Sequence, residues 1–105
     1  MLNQFVLVGR LKEEVKPKNK KDFTIITLGV PRSFKNEKGE YDTDFIDIKI
    51  NGTVADNVKE YCKVGDILGA KGRIQTTIIK KDNKDIKVTE IVAEKVTFLS
   101  SKSES

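Results

Sequence analysis

The sequence places one large aromatic ring beside charged side chains on a single short strand. Residues 44–50 read DFIDIKI, and successive side chains of a strand point to opposite faces. The three isoleucines therefore share an apolar face, and the opposite face carries Phe45 and Lys49. A ring beside a cation can stack on a planar group and bind a nearby anion, or it can belong to a second hydrophobic cluster. Both readings stay open for Phe45 at this point.

A second aromatic side chain lies in a polar segment upstream of that strand. Residues 32–43 read RSFKNEKGEYDT, with a turn signal at Lys38-Gly39. Phe34 stands there between the cations Arg32 and Lys35. A phenylalanine in a loop can tuck under its own loop or stack on a ligand. The pattern favours neither.

Composition limits the kinds of protein that the chain can be. Its 105 residues suit one domain, predicted over residues 1–99 with a polar, disordered tail at 100–105. Lysine and arginine exceed aspartate and glutamate by 20 to 16, a weak indication of a polyanionic partner. Without histidine the commonest general base and metal ligand is missing, so we expect no cofactor and no metal. The single cysteine, Cys62, and the lack of a long apolar segment predict a cytoplasmic protein that does not enter membranes.

Hydrophobic alternation predicts five strands, over residues 2–11, 23–30, 44–50, 67–80 and 86–99. The first is apolar on both faces, so we expect a partner subunit to cover one of them. Pro31 is expected to end the second strand. A basic loop is predicted at residues 12–22 and a hairpin loop at 81–85.

One helix is predicted between the third and fourth strands, over residues 53–62. Thr53 is its expected N-cap, and Gly65 follows as a stop signal. Tyr61 and Cys62 are expected in or near the core. This order of elements predicts an all-β protein, the five-stranded Greek-key barrel called the OB-fold, with one short helix between strands 3 and 4. OB-folds bind oligonucleotides or oligosaccharides on one sheet face.

The chain resembles the bacterial and phage single-stranded DNA-binding proteins over residues 1–99. The matching pieces are FVLVGRL, TLGVPRSFKN, DFIDIKINGTVADNVKEYCKVGD, GRIQT and TEIVAEKVTFL, in this order. The resemblance implies that Phe34 and Phe45 stack on bases. Many members have tryptophan or tyrosine at the position of Ile79, and some have an aromatic residue at Asn51. The departures at both positions imply fewer stacking contacts and weaker, more salt-sensitive binding.

The resemblance also implies an oligomeric state and an origin for the protein. Members pair through the first strand, so we expect a homotetramer or a dimer. Many cellular members end in an acidic, apolar tip that recruits repair proteins, whereas this sequence ends SSKSES. We therefore expect that the tail does not recruit repair proteins. In this respect the sequence resembles the short forms found on phages and mobile elements.

The expected function is non-catalytic, sequence-independent binding and protection of single-stranded DNA in replication, recombination or repair. Bases would stack on aromatic rings, and cations would contact phosphates. The expected phosphate contacts are Arg10, Arg32, Lys35, Lys49, Lys71 and Arg73, with Lys80 and Lys81 as further candidates. An OB-fold nuclease would need clustered carboxylates for a metal, and the acids here are scattered, so we do not expect an enzyme. A single-stranded RNA-binding module or an accessory protein of a replication complex remains the alternative.

Overall fold

The computed structural model describes residues 1–13, 16–17 and 23–101. Most of the predicted basic loop at 12–22, and residues 102–105 of the predicted tail, lie outside this part of the chain. The elements are β1 (Phe5–Leu11), β2 (Lys16–Pro17), β3 (Phe23–Lys35), β4 (Tyr41–Asn51), α1 (Gly52–Tyr61), β5 (Ile67–Lys81) and β6 (Lys84–Ser100).

The strands form one sheet that closes on itself. Their order is β1-β5-β6-β4-β3-β2, and an additional pairing of β1 with β3 joins the two sides. All pairings are antiparallel except that of β4 with β6, which is parallel at Lys49 and Val92. Apart from the two-residue β2, this is a barrel of five long strands with the helix between the third and fourth of them. The predicted fold class is therefore confirmed.

The barrel interior is filled by the alternating apolar side chains that the sequence predicted. Ile48 and Ile50 of β4 are fully buried and pack with Ile26 and Leu28 of β3 and Leu68 of β5. Burying each such side chain contributes about 1.5–3 kcal/mol relative to leaving it exposed. The opposite faces of the same strands are thereby turned outward.

The closing contact between β1 and β3 requires backbones that nearly touch. Gly9 of β1 lies so close to β3 that a Cβ there would be 2.6 Å from the carbonyl oxygen of Gly29. No side chain fits at that distance. Glycine at position 9 therefore lets β1 cross over β3 and close the barrel.

Strand β3 continues past the point where the sequence predicted its end. Pro31 pairs with Thr43, and the two strands run on to the pair Lys35–Tyr41 with a register shift between Pro31 and Lys35. The predicted ending at Pro31 is wrong because Pro31 is paired on one side only, by β4, among the described strands, and an edge position tolerates a missing N–H. Residues 31–43, which we call the β3–β4 arm, are thus mostly strand and not the predicted loop.

The turn of the β3–β4 arm is held by one side chain. The Oδ1 atom of Asn36 accepts hydrogen bonds from the backbone N–H groups of Lys38 (2.8 Å) and Glu40 (3.0 Å). The turn predicted at Lys38-Gly39 is confirmed.

A longer hairpin is formed by β5 and β6, with a turn of two residues. Asp82 and Asn83 both have positive φ, 53° and 63°, the conformation of a type I′ turn. The predicted loop at 81–85 is too long because aspartate and asparagine adopt this backbone conformation more readily than other side chains. We call residues 76–89 the β5–β6 arm.

The helix differs from its prediction at both ends. It begins at Gly52 after Asn51, and no side chain caps it, so the prediction of Thr53 as N-cap is wrong. Gly52 has a φ of +52°, which glycine adopts without strain and which lets the helix start one residue early. Tyr61 is 67% exposed, contrary to the expectation of a core position, because the apolar stripe toward the barrel ends at the buried Val58. Cys62 packs against the core as predicted, and burial raises the pKa of its thiol.

Candidate nucleic-acid interface

Phe45 is an exposed ring on a strand whose other face is the core. It is 57% exposed, while its neighbours Ile46 and Ile48 point inward, so the predicted faces of this strand are confirmed. Phe45 pairs with Gly29 across β3 and β4. A Cβ on Gly29 would stand 3.2 Å from the Cε1 atom of Phe45, which means that the ring lies across the glycine backbone. The ring is therefore supported from below and open to solvent.

A lysine that was not among the predicted site residues contacts this ring. The Nζ atom of Lys12 lies 4.2 Å from the centroid of Phe45, within the range of a cation–π interaction. The backbone N–H of Lys12 donates to the carbonyl of Thr27 at 2.9 Å, which fixes the start of the side chain. From its sequence context, Lys12 was predicted only as part of the basic loop. Its position directly after β1 was the signal that it belongs to the sheet.

Phe45 and Lys12 lie at the edge of a cleft of about 790 Å³. Its wall is mainly apolar and includes Val8 and Val64. The predicted site residue Arg10 also lines it, and its Nη1 atom donates to the carbonyl of Gly65 at 2.8 Å. The cleft thus joins the ring of Phe45 to the outward side of β1.

Phe34 lies on the β3–β4 arm and is 63% exposed. Nearby on the same arm, the guanidinium of Arg32 donates to both carboxylate oxygens of Asp44, at 2.9 and 3.1 Å, and lies 3.7 Å from Asp42. These hydrogen bonds hold the pKa of Asp44 below its usual value and raise that of Arg32. Arg32 is therefore neutralised by acids of the neighbouring strand, and Lys35 lies over the ring of Tyr41.

A polar network crosses the sheet at the root of the β5–β6 arm. Lys49 Nζ lies 3.6 Å from Glu90 and 4.4 Å from the centroid of Phe23. Glu90 also accepts a hydrogen bond from the amide of Gln75 at 2.8 Å. Arg73 donates to the Oε1 atom of Gln75 at 3.1 Å and to Glu94 at 3.0 Å. Two predicted phosphate contacts, Lys49 and Arg73, are thus linked to each other through the carboxylate of Glu90 and the amide of Gln75.

The remaining predicted residues lie on β5. Ile79 is exposed and pairs with the exposed Ile86, so an aliphatic patch stands on the β5–β6 arm. Lys71, Lys80 and Lys81 are exposed, and no ion pair joins them to a described residue.

Two absences hold for the described residues. Nowhere in them do three or more cysteine, aspartate or glutamate side chains cluster in a way that could hold a metal ion. None of their helices is long and apolar enough to cross a membrane.

The fold and this outward face, with exposed rings and cations on a closed five-stranded barrel, define an OB-type binding protein. Residues 2–99 match the model of the single-strand binding protein family, and the chain belongs to that family. A family of binding proteins, and not of enzymes, agrees with the prediction that the chain is not an enzyme.

Named relatives align with nearly the whole length of this chain. The chain is 41% identical over 106 residues to single-stranded DNA-binding protein 2 of Staphylococcus aureus strain Mu50, covering 97% of this chain and 75% of that protein. It is 42% identical to single-stranded DNA-binding protein 3 of Listeria innocua, of which it covers 66%.

Solved structures share the fold. A Plasmodium falciparum SSB in complex with ssDNA superimposes with a TM-score of 0.73 at 22% identity, covering 95% of this chain and 96% of that one. A small single-stranded DNA-binding protein from Streptomyces coelicolor gives 0.63 at 17% identity, covering 93% and 95%. At these identities the likeness concerns the barrel itself.

Proposed function

We propose that this member of the single-strand binding protein family binds single-stranded DNA with little sequence preference, across the outward face between its two arms. The observation that carries the proposal is Phe45, an exposed ring that a core-packed strand and Gly29 hold in place. A ring that costs little to order is a good surface for an unpaired base. Phe34 would supply a second stacking surface on the β3–β4 arm.

Stacking would provide the affinity that is independent of sequence. Base–aromatic stacking is worth about 1–3 kcal/mol per base and tolerates every base, because each base has a flat π-face. The aliphatic side chain of Ile79 would make only van der Waals contact at its position. Two aromatic rings and one aliphatic contact therefore predict moderate affinity for each strand segment.

Phosphate contacts would provide the salt-dependent part of the affinity. The proposed contacts are Arg10, Arg32, Lys35, Lys49, Lys71 and Arg73, to which the structure suggests adding Lys12 beside Phe45. Each contact that releases a counterion from a single strand adds about 0.7 to the slope of log affinity against log salt.

Paired binding measurements test the proposal. Fluorescence titrations at matched salt would compare single-stranded DNA homopolymers, the corresponding RNA homopolymers and a DNA duplex. We expect similar affinities for the DNA homopolymers and much weaker binding of the duplex, whose paired bases cannot stack on Phe45. Equal affinity for duplex would contradict the proposal, and tighter binding of RNA would favour the RNA-binding alternative.

We propose further that the chain forms a homotetramer, with β1 in the subunit contact. Val6 and Val8 on the outward face of β1 are exposed, as is Leu99 on β6. Exposed apolar side chains on a strand are an aggregation hazard unless another subunit covers them. Light scattering at tens of micromolar is expected to give the tetramer mass. A monomer mass would contradict this proposal. A dimer mass would mean that subunits pair through β1 but that the pairs do not associate further.

The cellular setting follows from the proposed activity. Single strands that need protection arise in replication, recombination and repair, so we place the protein in the cytoplasm at such sites. An origin from a phage or mobile element stays a prediction.

A further inference from the structure

Glu90 is the acidic residue that connects the two ends of the polar network. Its Oε2 atom lies 3.6 Å from the ammonium of Lys49, and its Oε1 atom accepts the hydrogen bond from Gln75. The side chains of Lys49 and Glu90 are only 27% and 24% exposed. The pair is thus more protected from water than the other ion pairs of the described residues, whose side chains are 43–60% exposed.

Strand register explains why Glu90 meets these partners. Gln75 and Glu90 are opposite each other in the antiparallel pair of β5 and β6, so their side chains are on the same face. Lys49 stands beside Val92, two residues from Glu90, in the parallel contact of β4 with β6. Residues two apart on a strand share a face. The carboxylate therefore lies between cations that point outward from different strands.

The same arrangement limits what Lys49 can contact. Its ammonium is held by the carboxylate on one side and by the ring of Phe23, 4.4 Å from its centroid, on the other. A phosphate that approaches Lys49 has to compete with a carboxylate that is already there. At the far end of the network, Arg73 donates a hydrogen bond to the carboxylate of Glu94, so a phosphate that approaches Arg73 also has to compete with a carboxylate.

We propose that Glu90 is a built-in competitor of the DNA phosphate: it holds Lys49 in place in the free protein and is displaced when a strand binds. This inference rests on the function proposed above. Its consequence is a binding face that is partly neutral before DNA arrives. A carboxylate that loses its lysine takes up a cation from solution, which offsets part of the counterion release that the phosphate contact causes. Glu90 therefore lowers both the affinity and its salt dependence.

The variant Glu90→Gln removes the competing charge and keeps an oxygen that can accept from Gln75. We expect it to bind single-stranded oligothymidylate about two- to fivefold more tightly at low salt, the range set by a partly exposed ion pair. We expect the slope of log affinity against log salt to become steeper by up to about 0.7. No change, or weaker binding by a variant that keeps the wild-type melting temperature, would overturn the proposal.

Two controls separate this effect from a change in net charge. Glu60→Gln removes the same charge from the exposed side of α1 and is expected to leave the affinity nearly unchanged. In a Lys49→Gln background, Glu90→Gln should give less gain than in the wild type, because the lysine that Glu90 occupies is gone. An equal gain in affinity in both backgrounds, or an equal gain from Glu60→Gln, would show that Glu90 acts only through the net charge of the protein, and this would overturn the proposal.

A second variant covers the case in which Glu90→Gln does not fold. Glu94→Gln frees Arg73 at an exposed position and is expected to steepen the salt slope in the same direction. A wild-type protein that binds no single strand would contradict the proposed function itself. Wild-type binding that neither glutamate variant strengthens would contradict only the role of the glutamates.

Discussion

The barrel body and the β3–β4 arm hold their outward side chains in different ways. Phe45, on the body, has buried isoleucines directly behind it and the backbone of Gly29 beneath it. Phe34, on the β3–β4 arm, stands in a run of exposed residues. The side chains of the arm are held instead by polar pairs, such as the pair of Arg32 with Asp44.

This difference separates two sources of order in the proposed binding face. On the body, the hydrophobic core positions the ring whatever the pH or salt concentration. On the β3–β4 arm, order comes from the exposed ion pairs of Arg32, and each of these is worth little and weakens in salt. Affinity contributed by Phe45 on the body should therefore be robust, and affinity contributed by the β3–β4 arm should depend on salt concentration and pH.

The largest expected effect comes from removing an isoleucine from the body. Ile48 is fully buried, and Ile48→Ala should lower the free energy of unfolding by about 2–5 kcal/mol. Ile78 on the β5–β6 arm is 68% exposed, and Ile78→Ala should change it by about 0.5 kcal/mol or less. Urea denaturation measures both. Similar losses would mean that the arm packs as tightly as the body.

The next effect concerns the two rings. Phe45→Ala should cost about 1–3 kcal/mol of single-stranded DNA binding and leave the salt slope unchanged, because no phosphate contact is lost. Phe34→Ala should cost less, since part of its stacking energy is spent on ordering the arm. Titrations at several salt concentrations measure both, with Tyr61→Ala as an exposed aromatic control. A Phe45→Ala variant with a lower melting temperature but the wild-type affinity for single-stranded DNA would show that Phe45 has a structural role only.

A smaller difference is expected between two cations of β5. Lys71 has no ion pair with a described residue, whereas Arg73 is bound by Glu94 and Gln75. Lys71→Gln should flatten the salt slope by about 0.7 if Lys71 contacts one phosphate. Arg73→Gln should flatten it less, because Glu94 offsets part of the release. The reverse order in salt titrations would argue against neutralisation of Arg73 by its neighbours.

The smallest effect is a pH dependence of the β3–β4 arm. The hydrogen bonds from Arg32 lower the pKa of Asp44 below its usual value of 3.8. The folded state then binds this proton less readily than the unfolded state. The stabilising pair is fully present above pH 3.8 and is lost as the pH falls through the lowered pKa. Asp44→Asn should remove this pH dependence, which NMR signals of the arm would detect. An unchanged titration in the variant would place its origin elsewhere.

The sequence predicted the barrel body and the strands of the β5–β6 arm much better than the β3–β4 arm. Alternation in residues 44–50 identified the core face and the outward face correctly, because one face of that strand is buried and register is then strongly specified. On the β3–β4 arm both strand faces are exposed to solvent, so alternation carries no information about how far the strands extend, and this hairpin was predicted as a loop. The β5–β6 hairpin was predicted as two strands, and only its turn was predicted too long.

The candidate site followed the same division. The residue pattern alone left the positions of Phe34 and Phe45 open, and the resemblance implied that both rings stack on bases. Both rings are exposed, and their role in stacking stays a prediction. The ion pairs of Arg32, Lys49 and Arg73 could not be foreseen, because their acidic partners come from neighbouring strands 10 to 41 positions away in the sequence. Such pairs depend on strand register, which single-strand patterns do not contain. Lys12 was missed although its position directly after β1 was a signal that it lies beside the sheet.

The close crossing of β1 over β3 at Gly9 limits how the sequence of this protein can evolve. Gly9 nearly touches the carbonyl of Gly29, and Gly29 in turn lies under the ring of Phe45. A mutation that added a side chain at either glycine would push the barrel open or tilt the ring. The position of the Phe45 ring and the closure of the barrel therefore depend on the same two glycines. Selection for tighter or looser DNA binding has room to act mainly on the charges of the arms, where a substitution leaves the fold intact.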